Sequence, residues 1–128
     1  MPRLRVVALG GRLAPWAEQA CAEYARRMPR GYEVERIFAK AAPRKANVVA
    51  LDERGKDMTT QQFAGLLGRD TTFVIGGPEG LDEAVKQEAA LLLRLSSLTL
   101  PHALAHVVLL EQIYRAASLL TGHPYHRA

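Results

Sequence analysis

Hydrophobic runs and their spacing divide the chain into alternating strands and helices. Leu4 to Leu9 is an apolar run interrupted only by Arg5, the pattern of a strand covered on both faces, and Gly10-Gly11 ends it. From Leu13 the period changes. Leu13, Ala17, Ala20, Tyr24 and Met28 recur at helical spacing with Glu18, Glu23 and Arg27 opposite, so the strand feeds a helix. Pro15 suits its first turn, where a missing N–H costs nothing, and Pro29 with Gly31 stops it. Tyr32 to Ala39 alternates as a second strand, and Asn47 to Leu51 is a third apolar run. Thr59-Thr60-Gln61-Gln62 has capping-box spacing, which predicts a helix to Leu67 that Gly68 closes. Thr72 to Ile75 reads as a fourth strand. Asp82 is expected to cap a helix through about Leu92, Leu95 to Leu100 to form a short strand or loop, and His102 to about Thr121 a long final helix.

The order βαββαβαβα, with only the second and third strands lacking a helix between them, predicts an α/β fold: a mostly parallel sheet with helices on both faces, in one domain spanning residues 1–128. The last helix is apolar on two sides. Leu109, Ile113, Ala116 and Leu120 form one stripe and Val107, Leu110, Tyr114 and Ala117 another, with Glu111, Arg115 and Ser118 as a polar seam. One stripe can face the sheet; the other predicts a partner, the same helix of a second copy.

Composition narrows the class. Apolar residues make up 48% and charged residues 23%, which excludes a chain too polar to fold. Lys and Arg exceed Asp and Glu by 17 to 13, a formal +4 that suits a polyanionic partner. Cys21, the single cysteine, borders the apolar stripe of the first helix and reads as a buried structural thiol in a reducing, cytoplasmic setting. No segment reads as a signal peptide or as the ~20 apolar residues of a membrane span.

Three segments carry candidate chemistry: Ile75 to Gly80 (IGGPEG), Leu95 to His102 (LSSLTLPH) and His123 to Arg127 (HPYHR). In a parallel sheet, ligands bind beyond the carboxyl ends of the strands, where the first two should lie. Gly76 and Gly77 either let the backbone approach a ligand or make a plain turn; they match neither the dinucleotide fingerprint nor the phosphate loop. The 95–100 run is either a buried strand or an adenine site of apolar walls and small hydroxyls. His102, His106, His123 and His126 lack a metal-ligand motif, and no metal is expected. His102 could cap the last helix or line a pocket, and Glu111 is expected to pair with Arg115 one turn on. Lys40-Ala41-Ala42-Pro43-Arg44-Lys45 is either a solvated connection or a contact for RNA phosphates.

Together these segments resemble the RlmH family of SPOUT (α/β-knot) methyltransferases. The similarity runs through Val6 to Gly10, Trp16, Glu23-Tyr24, Leu51-Asp52 and Gly55-Lys56, and is densest in IGGPEG, LSSLTLPH, EQIYRA (Glu111 to Ala116) and HPYHR, which stand in family order. The resemblance implies a homodimer with a C-terminal trefoil knot that uses S-adenosyl-L-methionine to methylate N3 of a pseudouridine in 23S rRNA on the assembled ribosome. It further implies that Leu51, Gly76, Gly77, Leu95, Ser96, Ser97, Leu98, Thr99 and Leu100 hold the cofactor. Tyr125, His126 and Arg127 match the tail that such enzymes bring to the partner subunit's cofactor. In that setting His126 is the candidate base, Arg127 supported by Arg115 the candidate for charge stabilisation, and Tyr125 a stacking ring for the target base. One departure stands out: the family's longer segment between strands two and three, which includes a helix, is reduced here to Lys40 to Ala46. A non-catalytic RNA-binding factor and a histidine-based hydrolase or metal enzyme are the rival classes.

Overall fold

The computed structural model describes residues 2–127, the side chain of His126 excepted. Five strands, β1 (Leu4–Leu9), β2 (Val34–Ala39), β3 (Val48–Lys56), β4 (Thr71–Ile75) and β5 (Leu91–Leu93), form one sheet in the order β2-β1-β4-β3-β5. Every pairing is parallel. The helices are α1 (Pro15–Arg26), α2 (Thr60–Ala64), α3 (Glu83–Glu88) and α4 (His102–Thr121), with short 3-10 turns at Gly65–Gly68 and Pro124–Arg127.

Local sequence explains most of these limits. Pro15 occupies the first turn of α1, and Gly31, at φ 90°, turns the chain after it. The capping box at α2 is complete: the Thr59 hydroxyl accepts from the Gln62 amide, and the Gln62 side chain accepts from the Thr59 amide. Gly122, at φ 74°, ends α4 in the left-handed conformation, and the His123 amide donates back to the Ser118 carbonyl at 2.9 Å.

Alternation along the strands sorts side chains into two unequal layers. Leu4, Val6, Ala8, Val49, Phe73 and Ile75 point to a face covered by α1, α2 and α4. Val7, Val48, Ala50 and Val74 point to the other, covered by Leu81, α3 and residues 40–47. That connection leaves β2 at Ala39 and must pass β1 and β4 to reach Val48, about 14 Å sideways at the usual strand spacing. Eight residues span at most about 29 Å when extended, so the crossover is a strap with no room for a helix. Asn47, at φ 59°, pins its end by donating to the Asp70 carbonyl and the Thr71 hydroxyl at 2.8 and 2.9 Å.

Several expectations need correction. The helix expected to reach Leu92 ends at Glu88, the fifth strand is Leu91–Leu93, and of the two readings of Leu95 to Leu100, strand or loop, the loop holds. A short apolar run fits helix or strand equally by period, and pairing with β3 decides it. Asp82 stands at the N-cap of α3, but its side chain makes no capping bond. Both apolar stripes of α4 are largely covered within one chain: Leu109, Leu110, Ile113, Ala116 and Ala117 are fully buried, as is Ser118 of the supposed polar seam. α1 supplies the second cover, with Tyr24 against Tyr114 at 5.8 Å between ring centroids. α4 is also long and apolar enough to span a membrane by length and composition, contrary to expectation. Its packing against the sheet, α1 and α2 makes it a core helix.

Near its end β3 bends around β5. Leu51 and Lys56 both align with Leu93, the Arg94 amide donates to the Lys56 carbonyl, and a Cβ on Gly55 would stand 2.7 Å from the Leu93 backbone.

Candidate active site

The bend at β3, the turn after β4 and the loop after β5 meet at the carboxyl edge of the sheet. They enclose a cavity of about 360 Å³. Of the nine residues expected to hold a cofactor, Leu51, Gly76, Gly77, Leu95, Ser96, Leu98, Thr99 and Leu100 line it, and Ser97 does not. Leu93 and Ala105 add apolar wall, and His102 closes the α4 end, so of its two sequence readings the pocket-lining one holds. Sequence reasoning missed Asp52, Arg54, Lys86 and Arg94, which also line the cavity. Lys86 and Asp52 form a 3.5 Å ion pair with both side chains mostly buried, and Arg94 clasps Asp57 through two bonds of 2.8 and 2.6 Å. The charge pattern of β3 and α3 hints at these groups, but nothing in the sequence places α3 against the bend.

The glycines of IGGPEG serve the chain itself. A Cβ on Gly76 would stand 2.6 Å from the Gly80 carbonyl carbon, and Gly77 packs on Gly10, where an added Cβ would meet the Gly77 Cα at 2.5 Å. Gly80 donates to the Gly77 carbonyl at 2.9 Å, closing the turn. The Ser96 hydroxyl likewise accepts from the Leu98 amide, which fixes the loop shape. These contacts build one wall of the cavity in advance of any ligand.

The tail lies elsewhere. Tyr125 packs beside Glu111, Tyr114 and Arg115, nine to thirteen residues along α4 from His102, or about 14–20 Å at the helical rise. Its hydroxyl donates to Glu111 at 2.9 Å, and its ring contacts both the Tyr114 ring and the Arg115 guanidinium, with centroid distances of 4.6 and 4.8 Å. Burial first, then hydrogen bonding to Tyr24 and Glu111, raises the Tyr125 pKa. These contacts make Tyr125 an anchor for the tail. Glu111 takes two bonds from Arg115 and, as expected, pairs with it. Arg127 is exposed, and the His126 side chain, the candidate base, lies outside what the structure describes.

Beneath the cavity lies a second histidine. His106 is 2% exposed, its Nε2 has no hydrogen-bond partner among the described residues, and its ring meets that of His102 edge-on at 4.7 Å. Burial, then the neighbouring His102 and Arg36, lower its pKa to about 4, while Glu18 acts in the opposite sense. A depressed folded-state value means that the unfolded chain binds the proton more readily, so this contribution to stability is full above pH 6.5 and is lost as pH falls toward about 4. Thermal melts of His106→Leu should therefore show a flatter dependence than wild type over that window; parallel curves would remove His106 as the source. Burial also raises the Cys21 thiol, consistent with a structural role. Among the described residues no three His, Cys, Asp or Glu side chains gather as metal ligands.

Comparison with known proteins agrees with this geometry. Residues 30–126 match the family described as "Predicted SPOUT methyltransferase". The ribosomal RNA large subunit methyltransferase H of Polynucleobacter asymbioticus is 46% identical over 145 residues, covering 98% of this chain and 99% of that protein. Its counterpart from Paraburkholderia xenovorans is 44% identical over 154 residues, with the same coverage. Among solved structures, a probable methylase family protein from Haemophilus influenzae superposes with a TM-score of 0.68 at 10% identity, over 97% of this chain and 70% of that one. The SpoU methyltransferase AviRb from Streptomyces viridochromogenes, in complex with AdoMet, gives 0.58 at 16% identity, over 88% and 57%. Matched over nearly its whole length by these relatives, the chain belongs to the ribosomal RNA large subunit methyltransferase H family of SPOUT methyltransferases.

Proposed function

We propose that this protein transfers the methyl group of S-adenosylmethionine to N3 of a pseudouridine in 23S rRNA, acting as a cytoplasmic homodimer on the assembled ribosome. The observation that carries the reading is that IGGPEG and LSSLTLPH meet in one cavity at the carboxyl edge of a parallel sheet. The relatives' names supply the reaction and the RNA class. The cavity fits the cofactor chemically: Leu51, Leu93, Leu95, Leu100 and Ala105 offer apolar walls for a purine, and Arg54, Asp52 and Lys86 offer charges for an amino-acid end.

When bound, the sulfonium supplies an electrophilic methyl; the chain's part is to hold the acceptor nitrogen in line with it. An imide N3 attacks well only without its proton. His126 takes that proton, and Arg127 stabilises the resulting anion. Arg115, committed to Glu111 and stacked on Tyr125, acts by holding the tail in position.

Because Tyr125 is anchored well away from its own chain's cavity, the tail serves a second copy. The exposed Trp16, Phe38, Leu98 and Leu104 give apolar surface that such a copy can cover. The bend of β3 around β5, closed at Gly55, supports the trefoil knot. The direct test is transfer of labelled methyl to ribosomes from cells lacking this protein, with mass spectrometry of the rRNA nucleosides. N3-methylpseudouridine is the expected product. Cofactor binding without transfer would keep the pocket and sink the assigned target.

A further inference from the structure

The strap over the thin face of the sheet borders a second hollow, a groove of about 870 Å³. Its floor is apolar, with Leu9, Val48, Leu81 and Val85, and its two walls differ in charge. Lys40, Arg44 and Lys45 come from the strap; Glu79, Asp82 and Glu88 come from the turn after β4 and from α3. The three strap cations are exposed, and none has an acidic partner within 4.0 Å among the described residues. Gly77 to Gly80 lines both this groove and the cavity assigned to the cofactor, so a single turn separates the two.

We infer that this groove is the track for the single-stranded RNA flanking the target nucleotide, with the phosphates on the strap and the bases toward α3. The inference rests on the rRNA reading and adds the surface that guides the strand. Charge complementarity sets the polarity. Phosphates need unpaired cations, which only the strap wall offers, while carboxylates accept hydrogen bonds from exocyclic amino groups of bases and repel phosphates. An apolar floor between the two walls suits the faces of unstacked bases, the form in which RNA sequence is read. The crossover is too short for a helix and runs as a strap instead, so that the groove opens between it and α3 over Val48, while Val7 and Val74 stay buried beneath.

The test uses the full chain carrying Lys40→Gln, Arg44→Gln and Lys45→Gln, three changes at exposed positions. Steady-state methylation of ribosomes at physiological salt should show a rise in KM of about 10- to 100-fold with kcat unchanged, and the logarithmic salt slope of ribosome binding should fall by about two units. S-adenosylmethionine affinity should not move. Ultraviolet crosslinking of the wild-type protein to ribosomes should recover peptides containing residues 40–45. An active wild type whose KM and salt slope survive the triple change overturns the track and leaves the rRNA reading standing. If the wild type binds ribosomes through the strap but transfers nothing, the track stands and the proposed reaction falls. Absence of both binding and transfer overturns both.

Discussion

Mixing two inactive variants should restore methyl transfer to about a quarter of the wild-type rate. One variant carries Tyr125→Ala with Arg127→Ala, which destroys the tail; the other carries Leu100→Glu, which puts a charge on the apolar wall of the cavity. Each alone should lose about 100-fold or more in rate, the first by removing charge stabilisation and the second by blocking cofactor binding. The recovery follows from the separation between cavity and tail. If each site combines the cavity of one copy with the tail of the other, a mixed dimer has one intact site and one doubly damaged site. Random reassortment makes about half of the dimers mixed, and half of their sites work. Failure to recover activity, with mixed dimers present by mass, would mean that each tail serves its own chain. Anchoring of Tyr125 by Glu111, Tyr114 and Arg115 argues against that outcome, because self-service would require breaking all three contacts.

The second large effect is on stability. Gly10→Ala should destabilise the fold by about 3–5 kcal/mol, combining backbone strain with overpacking. For a chain of this size that lowers the melting temperature by about 10–20 °C. Gly10 has φ 95°, which a side chain rarely tolerates, and its added Cβ would stand 2.5 Å from the Gly77 Cα, where only backbone could yield. Gly11 provides the control. It has nearly the same φ, 93°, with nothing within 4 Å of the added carbon, so Gly11→Ala isolates the strain at about 1–2 kcal/mol. Melts that coincide for the two variants would show that the turns after β1 and β4 are not held in contact.

Much of this architecture is legible in the sequence. Strands β1, β2 and β4, helices α1 and α4 and the Thr59 capping box follow from periodicity and local caps, because those signals depend on neighbours within a turn or two. What depends on distant partners is not legible. The run Ala89 to Leu93 could be helix or strand until β3 is beside it, and β3 itself extends past Leu51 to Lys56 because the bend finds β5. The glycines of IGGPEG announce a close approach but not to what; the approach is to Gly10 and Gly80. Tyr125 suggests a stacking ring by type, and only the packed structure reveals that Arg115 and Tyr114 already contact it. Of the site, the motif segments could be marked from the sequence, whereas the Asp52–Lys86 pair and the buried His106 needed coordinates.

The bend of β3 around β5 also makes the cavity depend on pairing between distant parts of the chain. With every strand pairing parallel, no hairpin can form early, and each ladder waits for residues distant in the chain. β5 is only three residues long, and Leu93 must fit between Leu51 and Lys56 against a backbone that leaves no room for a Cβ at Gly55. Leu93 and the two arms of β3 therefore hold one another in place, and the cavity loop leaves the sheet directly from that junction. A chain in which this bend has not closed lacks one wall of the cavity, however well its helices are formed.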